Sequence, residues 1–336
     1  MPSSTPPTSG GVFFAQPSSS THTLSSVVDS AIESSPISTL SASEISSALS
    51  THPSSGYVFN SHSTENVAVY FGQTAATSGT SLAKQCADPH IDIVILAFII
   101  SRNDSSGPYP GVNFGAACGG QTSLMAEKAP GLLSCPYLAA DIDTCQTKYG
   151  KKVLLSIGGG GQSIVFNTAS DASSFGDNED NNKAYYEVLG STLRGLYSSS
   201  TSKEFYLSAA PQCPNPDASD PTALLLLCDF VWVQFYNNPP CSIGTSGFTA
   251  SLQGWSETLS SSQARLYLGA PAWSGADETT YEKIGTAQGM EAIAQNVSRM
   301  GLANFGGVMF WDGAEGMLNE AGGKDIIAWA KAGLTI

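Results

Sequence analysis

From Asn66 onward the chain alternates short apolar runs with longer stretches of helical spacing, and each kind of run predicts one kind of element. VAVYF (67–71), the run 91–100, KVLLSI (152–157), FYLSAA (205–210), DFVWVQFY (229–236), RLYLGA (265–270) and GVMFW (307–311) are seven predicted strands. Neither 205–210 nor 229–236 alternates cleanly between polar and apolar, so both read as strands buried on two faces, as in a parallel sheet. Helical patterns cover 184–197, 284–300 and 324–332. Strand and helix in alternation predict a parallel sheet with crossover helices, and the number of units predicts an α/β barrel of the TIM type, (β/α)8. One strand is missing from that count. Residues 162–204 hold only Ile164-Val165-Phe166 and the helical AYYEVLGSTLRGLY, so the barrel is expected to lack its fourth strand.

Before Asn66 the pattern disappears. Residues 1–64 are dominated by serine, threonine and proline, a composition that buries too little apolar surface to offset chain entropy. They are expected to form a disordered extension open to O-glycosylation, with the barrel domain running over 65–336. The first residues show neither the basic region nor the apolar core of a signal peptide, the patch Val12-Phe13-Phe14-Ala15 being too short. No stretch is long enough to span a membrane, so no membrane insertion is expected.

Charge narrows the choice of partner. Lysine and arginine number 14 against 28 acidic residues, a net charge of -14, which argues against nucleic acid or an anionic membrane and leaves a neutral ligand. The seven cysteines form no C-x-x-C pair, and neither a metal nor a cofactor is expected. Their clustering into 86–145 and 213–241, with glycosylation sequons at Asn103 and Asn296, points to an oxidising, secretory context. The alternative is a set of buried free thiols, since cysteine also packs as a small hydrophobe.

The polar groups gather at the C-terminal ends of the strands, where parallel barrels carry their sites. Gln234 and Tyr236 lie two apart and so share one side of their strand, and Trp311 ends another. The segments NVAVYFGQ, IDIVILAFI, KKVLLSIGGGG, FYLSAAPQCP, DFVWVQFYNNPPC and GGVMFW, in this order over about residues 66–336, closely resemble the class III (hevamine-like) chitinases of glycoside hydrolase family eighteen, in their fungal form. The resemblance implies a TIM-type barrel and an endochitinase that hydrolyses β-1,4-linked N-acetylglucosamine polymers with retention, using the substrate's own acetamido group as nucleophile. It implies disulfides Cys86–Cys145, Cys118–Cys135 and Cys213–Cys241, with Cys228 a buried unpaired core residue.

The family's strand D-G-x-D-x-D-x-E carries the general acid, and here only Asp177-Asn178-Glu179 matches its final D-x-E. About one βα unit upstream of it is absent. By resemblance Glu179 is the acid, Asp177 orients the acetamide and tunes that acid, and Tyr236 binds the acetamide oxygen. Gln234 and Trp311 hold and floor the sugar, while Tyr70, Gln73 and Asn113 match further substrate contacts. Bland alternatives stand beside these roles: 177–180 reads equally as a solvated loop or helix cap, and Trp232 as a plain core aromatic. The expected partner is chitin or chito-oligosaccharide, bound by a monomer that is extracellular or in the cell wall. With its strand missing the chain is expected to be a poor catalyst. The competing readings are a non-catalytic chitin-binding or inhibitor-like barrel, and an incomplete gene product.

Overall fold

The computed structural model describes residues 56–101, 109–159, 168–169, 185–201 and 203–335. The chain divides into two units, Met1–Ser50 and Thr51–Ile336, and the first, with most of the expected disordered extension, lies outside the described residues. The strands of the second unit are β1 (Asn66–Phe71), β2 (Ile93–Ser101), β3 (Gly111–Val112), β4 (Lys152–Ile157), β5 (Ser208–Ala209), β6 (Phe230–Gln234), β7 (Arg265–Pro271), β8 (Phe305–Trp311), β9 (Glu320–Ala321) and β10 (Lys324–Asp325). Its α-helices are α1 (Leu82–Ala87), α2 (Ser123–Lys128), α3 (Leu138–Asp143), α4 (Tyr186–Ser198), α5 (Thr222–Leu225), α6 (Phe248–Leu259), α7 (Glu278–Ile284), α8 (Gly289–Arg299), α9 (Gly313–Leu318) and α10 (Ile326–Leu334).

Parallel ladders join β4 to β2, β2 to β1, β1 to β8, β8 to β7, β7 to β6 and β6 to β5, so the sheet curls as a barrel wall. The two-residue period of each strand sorts its side chains. Ala68, Tyr70, Ile93, Ile95, Phe230, Trp232, Tyr267 and Met309 form one cluster inside the curl. Their neighbours Val67, Val69, Val94, Leu96, Val231, Val233, Leu268 and Phe310 belong to the larger outer core beneath the helices. Trp232 is thus a core aromatic, 1% exposed, its ring 4.4 Å from that of Tyr267. An edge-to-face pair of this kind adds about 0.5–1.5 kcal/mol beyond the area it buries.

Among the described residues no ladder connects β4 to β5, the place where the sequence leaves out the fourth strand. Both edges show it. The expected six-residue strand at 205–210 shrinks to β5, because it has a partner only in β6. Phe205, expected to be buried, is 47% exposed and stacks on Tyr197 of α4 at 5.1 Å. Leu155 of β4 is 52% exposed, although the equivalent outward positions of other strands are covered.

Two further expectations change. The helix expected over 284–300 starts later, at Gly289 of α8, because Gly285 takes φ 83° and its amide caps the preceding helix α7 on Tyr281 O. Ordered chain also begins before the expected domain start at 65. The Tyr57 hydroxyl donates to Asp92 Oδ1 at 2.6 Å, and the Phe59 ring meets Tyr206 and Phe230 edge-on, so this segment packs into the lower end of the curl. Asp92 is also paired with Lys331 of α10 at 2.8 Å. Disulfides Cys86–Cys145, Cys118–Cys135 and Cys213–Cys241 are formed, and Cys228 is free and buried.

Candidate active site

Tyr70 and Trp311 end the neighbouring strands β1 and β8 on the inner face, and their ring centroids are 5.1 Å apart. Phe98 completes an aromatic floor, stacked on Trp311 at 5.8 Å and 22° and lying 6.0 Å from Tyr70. Sequence reasoning missed Phe98 for a definite reason. Parity puts Ile93, Ile95 and Ala97 inside and would send the next residue out, but the register of β2 against β4 shifts between Leu96 and Ile99. The glycine run after β4 makes room for the ring: a Cβ on Gly159, which has φ 102°, would sit 2.8 Å from Phe98 Cδ2.

On β6 the inward positions Phe230 and Trp232 are followed at the same parity by Gln234 and Tyr236. Gln234 donates its Nε2 to Ala210 O at 2.6 Å. Tyr236 is buried, and that burial, together with the nearby Tyr70 and Asp277, pushes its phenol pKa well above the ordinary value. The phenol is therefore a protonated donor at any physiological pH. The chain turns sharply behind it, with Asn237 at φ 59°. Asn237 N donates to Asp277 Oδ2, Asn238 N donates to Ser242 Oγ, and Asn238 Nδ2 donates to Gln212 Oε1.

The polar groups of Gln73 and Asn113 hold loops. Gln73 Nε2 donates to Ala97 O at 2.7 Å and Asn113 O at 2.8 Å, and Asn113 Oδ1 accepts from Gly115 N at 2.9 Å. The loops touch so closely that a Cβ on Gly115 would lie 1.7 Å from Gly72 O. Asp312, directly after Trp311, also went unnoticed in the sequence. Its carboxylate is fully buried, accepts from Thr74 Oγ1 at 2.9 Å and from Glu315 N at 3.1 Å, and so ties the end of β8 to the loop after β1. Burial raises its pKa to about 6. Asp177 and Glu179 lie outside the described residues. Among the described residues no group of three His, Cys, Asp or Glu side chains could hold a metal ion, and no helix is long and apolar enough to cross a membrane.

No family model matches the chain. It is 33% identical over 307 residues to an endochitinase of Saccharomyces cerevisiae, covering 82% of this chain and 51% of the yeast protein. It is 35% identical over 298 residues to endochitinase 3 of Metarhizium robertsii, covering 79% of this chain and 91% of that one. The chain therefore spans about half of the yeast relative and nine-tenths of the other. Among solved structures, the ICChI chitinase from Ipomoea carnea superposes with a TM-score of 0.62 at 27% identity, covering 80% of this chain and 99% of that one.

Proposed function

We propose that this chain, which belongs to the class III chitinases of glycoside hydrolase family eighteen, binds and hydrolyses β-1,4-linked N-acetylglucosamine polymers. The observation that carries the reading is the arrangement at the C-terminal strand ends. An aromatic floor of Tyr70, Phe98 and Trp311 suits the flat apolar face of a pyranose, and a buried, protonated Tyr236 supplies one fixed donor.

The substrate's acetamido oxygen attacks its own anomeric carbon, the bond to the leaving oxygen breaks, and that oxygen takes the proton of Glu179. Asp177 holds the acetamide N–H while Tyr236 donates to the acetamide oxygen, aligning it for attack. Gln234 and Trp311 hold the sugar being cleaved. Water then opens the cyclic intermediate and gives its proton back to Glu179, so configuration is retained. Gln73 and Asn113 shape the groove by fixing its loops. The three disulfides support action in an oxidising compartment, which we take to be the cell exterior or wall, by a monomer.

The test is time-resolved NMR of chitotetraose cleavage by the purified chain, beside co-sedimentation with chitin. Initial release of the β-anomer supports the reading. Sedimentation without cleavage would establish a non-catalytic chitin-binding barrel instead.

A further inference from the structure

Asp277 follows the end of β7 and is the N-cap of α7, where Oδ1 accepts from Thr280 N at 3.2 Å. A cap needs one oxygen. The other, Oδ2, accepts from Thr280 Oγ1 at 2.6 Å and reaches across to the neighbouring loop, where it accepts from Asn237 N at 2.5 Å. That amide belongs to the residue directly after Tyr236, held at φ 59° in the left-handed region, which a non-glycine residue adopts at a cost. The peptide plane between residues 236 and 237 fixes where the Tyr236 ring leaves the strand. Of the turn's side-chain partners, Gln212 and Ser242 are neutral, and Asp277 is the carboxylate. A hydrogen bond to an ionised acceptor is roughly twice as strong as a neutral one. Its own hydrogen bonds keep it ionised: burial pushes the carboxyl up, but the donors from Thr280 and Asn237 outweigh burial and hold its pKa below the usual value.

We infer that Asp277 is a positioning residue for Tyr236: through the Asn237 amide it holds the phenol at the one orientation in which it can donate to the substrate's acetamide oxygen. This rests on the chitinase reading for its consequence but not for its geometry. The effect belongs to the transition state, where the acetamide oxygen must lie in line with the anomeric carbon, so it should appear in kcat more than in KM.

The decisive variant is Asp277→Ser, because serine still caps α7 but is too short to reach Asn237. Asp277→Asn keeps the length but offers one acceptor oxygen to two amides, so it can hold Asn237 N only by giving up the Thr280 cap. In hydrogen–deuterium exchange of the whole protein, the Asn237 amide should exchange at least about tenfold faster in Asp277→Ser than in the wild type, with the thermal midpoint unchanged, and Asp277→Asn should restore at most part of that protection. On chitotetraose, Asp277→Ser should lose about tenfold in kcat with little change in KM, and Asp277→Asn should recover no more than part of it. Unchanged exchange at Asn237, or unchanged kcat with faster exchange, overturns the inference. A wild-type chain with no turnover sinks the chitinase reading instead, and the exchange measurement then decides the pin alone.

Discussion

The Tyr236 phenol keeps its proton, and so can donate, because burial, Tyr70 and Asp277 all oppose its ionisation. Removing one donor to a developing charge costs about 10²-fold or more in rate, so Tyr236→Phe should lower kcat on chito-oligosaccharide by about that factor while leaving the thermal midpoint in place. Burial acts in the same direction on Asp312, whose folded pKa of about 6 lies above the ordinary 3.8. The native state therefore holds that proton more tightly than the unfolded chain. The stability this contributes is full below pH 4 and is lost as pH rises to about 6, on the order of 3 kcal/mol at most. Asp312→Asn keeps a cap oxygen and cannot ionise. Urea midpoints between pH 4 and 8 should show the variant gaining on the wild type as pH rises to 6, and parallel curves would refute the assignment. Cys228 is free and fully buried, which pushes its thiol pKa up. One thiol should titrate with Ellman's reagent after denaturation and none before.

At the scale of elements, the site depends on how two segments depart from their strand pattern. Phe98 reaches the floor because β2 shifts register, and Gly159 leaves space for it with φ 102°. A methyl there meets the ring at 2.8 Å in a conformation that L-residues avoid. Gly159→Ala should destabilise by about 1–3 kcal/mol and weaken chitin binding, read by chemical denaturation and by co-sedimentation. An unchanged chitin affinity would remove Phe98 from the floor. The helix expected over 284–300 loses its first turn for a local reason: Gly285 is placed as the left-handed cap of α7, and that signal was in the sequence but was outweighed by the apolar spacing on either side.

For the whole molecule the governing fact is the wall between β4 and β5, which no ladder bridges among the described residues. Leu155 and Phe205 mark its two edges by their exposure. A closed eight-stranded barrel sets the tilt and radius that aim every strand end, and an acid needs placement within about half an ångström. A version of the chain carrying the full D-G-x-D-x-D-x-E strand should therefore turn over chitotetraose at least about 10²-fold faster than the chain as it stands, the range general-acid catalysis supplies. Equal rates would show that Glu179 works from its present setting.

The sequence by itself determined the barrel class, the order of its strands and the positions of Tyr70, Trp311, Gln234 and Tyr236 at strand ends. Apolar period and strand-end chemistry are local, so they are legible residue by residue. Only the tertiary structure decided that Phe98 joins the floor, that Gln73 and Asn113 brace loops, that Asp277 reaches the Tyr236 turn and that Asp312 is buried against Thr74. Apart from the local Asn113 Oδ1 bond to Gly115 N, each of these depends on a contact between segments far apart in the chain. A carboxylate's role follows from what the fold brings to its two oxygens, and the order of residues around it does not carry that information.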